Sequence, residues 1–434
     1  MPTARYLASQ LLVQCERSRS YVNLSLDAAL SRAQLNPADA GLCAALMYGV
    51  IERRRTLDYQ LRSLLAKPLK QLPAETRAAL RLGLYQLFFM QRIPPHAAIH
   101  ESVELVKASQ KSRHTAGLVN AVLRKAQGQG IMLPQGDDDE ALSVRYAVPK
   151  WLVALWRASY SDDYLPLLEQ SFGGGTTTLR VNTTKTGTAE LMTLLDAQEV
   201  PGLPHALHVQ GGDVTHLPGF AQGLFHVQDG AAQLCCEALG AQVGETVFDL
   251  CAAPGGKSFT LAQMMQNQGQ VVAMDLHQNR VRLIKQGAQR LGLNCIEAVQ
   301  GNANDAEKIL ASYGQAQRVL CDVPCSGLGI LRKKPDIREK LHAELDKLPQ
   351  IQYNILCVGA RLVSPDGSLI YATCTLNPAE NELVCRRFLA EHPQYIAEQV
   401  LPDTAGLRHE EGFLTLMPHR SGTDGFFIAK FCRK

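Results

Sequence analysis

The chain has 434 residues, 46% of them hydrophobic and 20% charged, with a formal net charge of +3. That composition excludes a disordered or collagen-like chain, and the length predicts two to four domains at roughly 100–200 residues each. The 12 cysteines form no Cys-x-x-Cys pair and no zinc-finger spacing. A disulfide scaffold and a metal centre are therefore not expected, and a reducing, cytoplasmic setting is. No apolar run reaches the ~20 residues that span a bilayer, and residues 1 to 12 lack the basic-then-apolar pattern of a targeting leader.

The charge is unevenly spread. Residues 1–135 carry 18 Lys+Arg against 8 Asp+Glu, net +10, and the remainder carries 26 against 33, net −7. A basic module joined to an acidic one suggests a polyanion-binding part, although solvated helix faces give the same count.

Residues 1–127 read as all-helical. Ala78 to Met90 spaces its large apolar residues for a buried helix, and Leu105, Leu118, Val119, Val122 and Leu123 repeat the pattern. Pro94-Pro95 ends one helix and admits another. Arg53-Arg54-Arg55 and the group Lys107, Lys111, Arg113, Arg124, Lys125 supply the basic excess. Residues 128–140, GQGIMLPQGDDDE, read as a linker, because Gly, Pro and three consecutive Asp residues build no core. Residues 141–225 read as a small α+β domain. Trp151 to Tyr160 is amphipathic, Thr176 to Thr184 alternates like a strand, and Gly211-Gly212 and Pro218-Gly219 break the remainder into short pieces. From residue 226 to 434, apolar β-branched runs alternate with helical stretches: ETVFDLCA, GQVVAMDL, QRVLCDVP and GSLIYATC. That is the pattern of parallel strands in an α/β domain covered on both faces.

The strongest segment is VFDLCAAPGGK, Val247 to Lys257. A strand enters a turn of small residues, and a helix follows. Such a turn lets a ligand approach the backbone and offers it the unpaired N–H groups of the helix N-terminus. The adjacent glycines fit neither G-x-x-x-x-G-K-[ST] nor G-x-G-x-x-G, so a phosphate loop and a dinucleotide fingerprint both fit poorly. The next strand ends in Asp275, placed to accept hydrogen bonds from a ribose diol. A nucleoside-type cofactor or a plain core arrangement of Gly and Asp would give this spacing. Two later strands end in LCDVPCSGLG, with Asp322 and Cys325, and YATCTLNPAENE, with Cys374. A single cysteine there is more often an inert core residue. Two cysteines and an Asp at the expected ligand edge favour a site.

These segments, in this order, resemble the Sun/Fmu family of RNA cytosine-5 methyltransferases. The likeness covers nearly the whole chain, from GLYQLFFMQRIPPHAAIHESVELVK and GLVNAVLRK through HVQDGAAQLC, DLCAAPGGKS, DVPCSGLGILRKKPDI and YATCTLNPAENE to DGFFIAKF. It implies a multidomain chain: an all-α NusB-like RNA-binding domain, a small α+β RNA-recognition domain, and a Rossmann-like α/β S-adenosylmethionine methyltransferase domain. The implied reaction transfers a methyl group to carbon-5 of a cytosine in small-subunit (16S) ribosomal RNA, as bare RNA rather than the assembled subunit, by a monomer. Cys251, Ala252, Ala253, Pro254, Gly255, Gly256 and Lys257 would form the cofactor loop, and Asp275 would bind the ribose. Asp322 would line the cofactor and base pocket. Cys374, in Thr-Cys, would be the nucleophile and Cys325, in Pro-Cys, the release group; DNA cytosine methyltransferases attack from the Pro-Cys position instead.

The chemistry needs such groups. Carbon-5 of cytosine is a poor nucleophile until a thiolate adds at carbon-6. An acid near ring nitrogen 3 would offset the developing charge, and burial would favour a protonated Asp322 for that purpose. A base must then remove the carbon-5 proton. The target base must be unstacked to reach the pocket, and Arg180 and Asn182 are candidates for reading its neighbours.

Three positions depart from the family pattern. Asn302 stands where an acid near the adenine is usual, and its side-chain oxygen still accepts a hydrogen bond. Val323 replaces Ala, and His277 replaces an acid. Competing readings are the same chemistry on transfer or large-subunit RNA, and a catalytically silent RNA-binding assembly factor. The second predicts a degraded site, which the intact motifs argue against. A nicotinamide oxidoreductase would leave the two strand-end cysteines unexplained.

Overall fold

The helices of the basic module begin where their caps dictate. Asn36 accepts a hydrogen bond from the Asp39 amide at 2.9 Å and Pro37 opens the helix Pro37–Glu52. The helix Ala74–Phe89 covers the predicted apolar run, and Pro95 starts the helix Pro95–Lys107. A computed structural model of the chain describes residues 3–18, 22–173, 176–210, 213–401 and 408–434. The Gly211-Gly212 pair lies outside the described residues. The chain divides into two units, Met1–Tyr164 with Lys334–Lys340, and Leu165–Lys333 with Leu341–Lys434.

The first unit is helical. Leu46, Met47, Leu57, Leu61, Leu80, Leu84 and Leu123 fill its core. Gly49 faces the Tyr85 ring, where a Cβ would lie 1.9 Å from the ring, so the two helices approach too closely for any side chain. The partition differs from the expected boundaries at 128–140 and 141. The helix Ala116–Gln129 runs past 128, and a helix begins at Asp139. Asp138 caps it by accepting from the amides of Glu140 (2.9 Å) and Ala141 (3.0 Å), and Asp139 pairs with Arg157 at 2.8 Å. The acidic run thus starts a helix at the positive end of its dipole. The helix Lys150–Ser159 buries Leu152, Val153 and Trp156, and Thr56 donates to the Val144 carbonyl at 2.6 Å. Both helices therefore belong to the first unit.

The returning segment Lys334–Lys340 contains a short 3-10 turn, Pro335–Glu339. Arg338 is fully buried there and donates to the Tyr146 carbonyl at 2.8 Å. Burial pulls its guanidinium down to about 10, which marks how dry this socket is. Arg338→Ala opens a cavity and removes a donor. It is expected to cost the helical unit about 3 kcal/mol, read as a lower denaturant midpoint; an unchanged midpoint would show that the segment adds nothing to that unit.

The second unit holds two sheets. A four-stranded antiparallel sheet is made by β1 (Thr177–Val181), β2 (Gln198–Glu199), β3 (Ala206–Val209) and β4 (Phe225–Val227), in the order β2-β3-β1-β4. Its core is Leu179, Val181, Leu191, Leu207, Val209 and Phe225, with Leu191 supplied by the helix Thr188–Leu195. Arg180 and Asn182 do not point to solvent. Arg180 bonds Glu237 at 3.0 Å and the Pro204 carbonyl at 3.2 Å, and Asn182 donates to the carbonyls of Gly223 (2.8 Å) and Leu291 (2.9 Å). Both are buried braces, which corrects their reading as RNA contacts.

The larger sheet contains β5 (Thr246–Asp249), β6 (Gln270–Asp275), β7 (Ile296–Gln300), β8 (Ala316–Asp322), β9 (Val363–Thr373), β10 (Tyr395–Glu398), β11 (Arg408–Glu410), β12 (Phe413–Leu416) and β13 (Phe426–Arg433). Its order is β11-β12-β13-β9-β8-β5-β6-β7, with β10 paired to β13. The run from β9 to β7 is parallel, as the four apolar runs predicted, and β13 joins β9 antiparallel. Alternate side chains enter two cores. Phe248, Val272, Val319 and Tyr371 face one, and Val247, Val271, Leu320 and Ile370 face the other. Asp249, Asp275, Asp322 and Thr373 thus close four neighbouring strands at the same edge.

Candidate active site

The turn after β5 carries Leu250, Cys251, Ala252, Ala253, Pro254 and Gly255 into the helix Gly256–Met264. Gly255 has φ +111°, and a Cβ there would lie 2.4 Å from the Phe259 ring, so only glycine fits. Ala252 donates to the Met274 carbonyl at 2.8 Å, and Ala253 donates to Asp275 Oδ2 at 3.3 Å. Asp275 also accepts from the His277 amide at 3.1 Å and pairs with Arg280 at 3.4 Å. Arg280 in turn donates to the Ala253 carbonyl at 2.8 Å. The turn and the end of β6 are therefore laced together through Asp275. Asn302 stands two residues past β7, exposed, and its Oδ1 accepts from the Asn304 amide at 3.0 Å to cap the turn Ala303–Asp305.

Sequence reasoning missed Asp249. It is buried beneath the turn, accepts from Ser258 Oγ at 2.7 Å through Oδ2, and has no hydrogen-bond partner on Oδ1 among the described residues. Burial, helped by the nearby Asp322 charge, pushes its carboxyl up to about 7. An acid in the middle of the apolar run ETVFDLCA was the signal available. Between pH ~4 and ~7 the folded chain holds a proton that the unfolded chain has released, so stability falls as pH rises. Asp249→Asn is expected to remove that slope. Its advantage over the parent should grow by a few kcal/mol between pH 5 and pH 8, at most about 1.4 kcal/mol for each step of one in pH. Parallel denaturation midpoints at the two pH values would show Asp249 ionised in the fold throughout.

Lys257, on the first turn of the helix, reaches Asp322 at the end of β8 with Nζ to Oδ2 at 2.7 Å. Burial works against the ammonium, and the Asp322 carboxylate more than offsets it, so Lys257 is held above its ordinary range. Asp322 thus faces a fixed cation rather than an apolar wall. The Lys257 ammonium also lies 5.1 Å from the Phe426 ring centroid.

Val323 donates to the Ala372 carbonyl at 3.1 Å, which sets the turn after β8 beside the turn after β9. Cys325 and Cys374 stand on those two turns with their sulfurs 3.2 Å apart. The Cys325 thiol is pushed well up, first by its hydrogen bond to Cys374 and then by burial. Other cysteines follow the bland expectation: Cys43, Cys235, Cys236, Cys321 and Cys385 are buried core residues. The loop beyond Cys325 is anchored by Lys333, which bonds Asp229 at 2.6 Å and Asp424 at 2.8 Å. The segments HVQDGAAQLC and DGFFIAKF therefore meet at this loop.

The chain is 37% identical over 448 residues to a probable ribosomal RNA small subunit methyltransferase B of Synechocystis, covering 99% of both chains. A profile described as 16S rRNA methyltransferase RsmB/F matches residues 236–432. The chain belongs to the RsmB/F methyltransferase family. A Bacillus subtilis RsmB/F relative, also called a probable ribosomal RNA small subunit methyltransferase B, is 35% identical over 100% of this chain and 99% of its own length. A NusB family profile matches residues 2–128, and the RsmF/B-like ferredoxin-like profile matches 148–212, starting upstream of the unit boundary at Tyr164. The fold agrees with the crystal structure of PH0851 over 100% of this chain and 99% of that one, with a TM-score of 0.84 at 24% identity. The crystal structure of NSun6 from Pyrococcus horikoshii with SFG matches 66% of this chain with a TM-score of 0.60 at 20% identity. The RsmB/F fold is thus a NusB-like helical domain, a ferredoxin-like middle domain and a C-terminal Rossmann-like methyltransferase domain. Among the described residues, no helix is long and apolar enough to cross a membrane.

Proposed function

We propose that this RsmB/F chain methylates carbon-5 of a cytosine in small-subunit ribosomal RNA, with Cys374 as covalent nucleophile and Cys325 as release group. The observation that carries the reading is the pair of strand-end sulfurs 3.2 Å apart, next to the strand that ends in the Lys257–Asp322 pair. The substrate follows the names of the full-length relatives. S-adenosylmethionine suits the turn on two grounds: small residues Ala252 to Gly256 leave the backbone open, and Asp249 Oδ1 is an uncommitted buried acceptor. Cys251 to Lys257 and Asp275 would hold it, Asp322 would line its pocket, and Asn302 would accept a hydrogen bond from its adenine. Bound there, it supplies the methyl group as an electrophile.

The protein does the rest. Cys325 donates its hydrogen bond to Cys374 and so favours a thiolate on Cys374. That sulfur adds to carbon-6, the carbon-5–carbon-6 pair shifts to carbon-4–carbon-5, the carbon-4–nitrogen-3 pair moves onto ring nitrogen 3, and carbon-5 becomes the electron-rich carbon of an enamine. Lys257, held by Asp322, offsets the charge that develops on the ring. After transfer Cys374 is a thioether and no longer an anionic acceptor. The main cause holding the Cys325 proton is then gone, and that proton leaves to solvent. The Cys325 thiolate next takes the carbon-5 proton. The freed electron pair restores the double bond, the carbon-6–sulfur bond breaks, and Cys374 departs as thiolate.

Labelled S-adenosylmethionine with unmodified small-subunit rRNA, assembled small subunits and total tRNA tests the reading. Label on one cytosine of the bare rRNA is expected. Label on tRNA alone would overturn the substrate, and label on no RNA would overturn the activity.

A further inference from the structure

Behind the two sulfurs lies a carboxylate that the chemistry above leaves unused. Glu380 is fully buried, and among the described residues no cation pairs with it. Three donors hold it instead. Its Oε2 accepts from the Ser326 amide at 2.8 Å and from Gln352 Nε2 at 2.9 Å, and its Oε1 accepts from Asn377 Nδ2 at 2.8 Å. A carboxylate without a cation is expensive to bury, and a neutral side chain of similar size would pack there at less cost.

Its partners sit on either side of the reacting groups. Ser326 follows Cys325, and Pro324 precedes it; the Pro324 carbonyl accepts from the same Gln352 Nε2 at 3.0 Å. Cys325 is therefore gripped on both flanks. Asn381, the neighbour of Glu380, does the same for Cys374. Its Nδ2 donates to the Thr375 carbonyl at 2.9 Å, and its Oδ1 accepts from Thr373 Oγ1 at 2.6 Å. The Glu380 carboxylate joins Ser326, on the turn of Cys325, to Asn377, three residues past Cys374, and its chain neighbour Asn381 holds that second turn. A second tie, Ser326 Oγ to Thr375 Oγ1 at 2.6 Å, runs in parallel, so loss of Glu380 loosens the join without severing it.

We propose that Glu380 is a positioning residue for adduct release: it ties the turn of Cys325 to the turn of Cys374 and sets the alignment of the two sulfurs. The inference rests on the reading that Cys325 frees the base from Cys374. In that step the carbon-5 proton goes to the Cys325 sulfur while the carbon-6–sulfur bond to Cys374 breaks, so both sulfurs must be aligned on one ring. Its negative charge also adds to the surroundings that hold the Cys325 proton, after the Cys374 hydrogen bond and burial.

The test uses the full chain with unmodified small-subunit rRNA. Glu380→Gln keeps an acceptor for Ser326 and removes the charge; Glu380→Ala removes both. Cofactor affinity by calorimetry and the melting temperature are measured beside the decay of the protein–RNA adduct on denaturing gels. Decay is expected to slow by about 10-fold in Glu380→Gln and about 100-fold in Glu380→Ala, the scale of a misaligned reacting group. Cofactor affinity should hold within about 2-fold, since the cofactor turn is elsewhere. The pH at which decay is half-maximal should move down in Glu380→Gln, because a negative neighbour of Cys325 is gone. Decay at the parent's rate in both folded variants overturns the proposal. So does a loss of cofactor affinity in step with activity, which marks a purely structural role. If both variants fail to fold, Gln352→Leu decides: it loosens the same grip and keeps the charge, and decay at the parent's rate again overturns the proposal. A parent protein that labels no RNA would fail the functional reading instead, separately from this one.

Discussion

Cys374→Ala is expected to abolish methyl transfer, by roughly 10⁴-fold or more, while S-adenosylmethionine still binds. The methyl group has no carbon nucleophile to meet unless a thiolate first adds to carbon-6, and the cofactor turn after β5 contains no atom of Cys374. Cys325→Ala should behave in the opposite way. Addition and transfer proceed, but the carbon-5 proton has no base, so the protein–RNA adduct accumulates as a slow band on a denaturing gel. In the proposed mechanism Cys325 is the donor across the 3.2 Å sulfur pair, so its loss should also slow addition. An adduct that persists with Cys374→Ala and vanishes with Cys325→Ala would reverse the two roles.

The second large effect concerns Lys257. Lys257→Met leaves the Asp322 carboxylate beside an apolar chain where it had an ammonium at 2.7 Å. Breaking one side of a buried pair costs about 3–5 kcal/mol. Asp322 keeps some solvent contact, so the lower end is expected. Methyl transfer should fall by a further ~10²–10³-fold, the scale of one lost group opposite developing charge. Asp322→Asn removes the other partner and leaves the cation, so it should retain more activity than Lys257→Met. The pH dependence follows from the direction in which Lys257 is displaced. Lys257 is raised above its unfolded value, so its contribution is complete below that value and is lost only in strong alkali. The stability difference between parent and Lys257→Met should therefore stay flat from pH 6 to 9. Equal stability and equal activity in both single variants would show that the pair is incidental.

The parallel sheet and its strand-end groups were legible because each is encoded locally. A β-branched run followed by a small turn or by a reactive residue names its own position, as at Asp275, Asp322 and Cys374. Pairings across the chain were not legible. Lys257 and Asp322 are 65 residues apart, and Ser326 and Glu380 are 54 apart. No local pattern says that such groups meet. The acidic run at 137–139 misled for a different reason. Asp residues suit both a solvated linker and a helix start, and only the amides of Glu140 and Ala141 decide between them. Arg180 misled because a cation in a strand reads as exposed until Glu237 is brought to it from 57 residues away.

The helical unit is not one stretch of chain. Residues 334–340 return to it from far along the chain, with Arg338 in its dry socket. A protease nick after Tyr164 would give two fragments, yet the larger one would still carry that return segment. The contacts of the segment 334–340 should hold the fragments together on a native sizing column, and fragments that separate there would show those contacts too weak to do so. An expression clone ending at Tyr164 would leave the Tyr146 carbonyl without its guanidinium, and a synthetic peptide spanning 334–340 is the natural reagent to restore it.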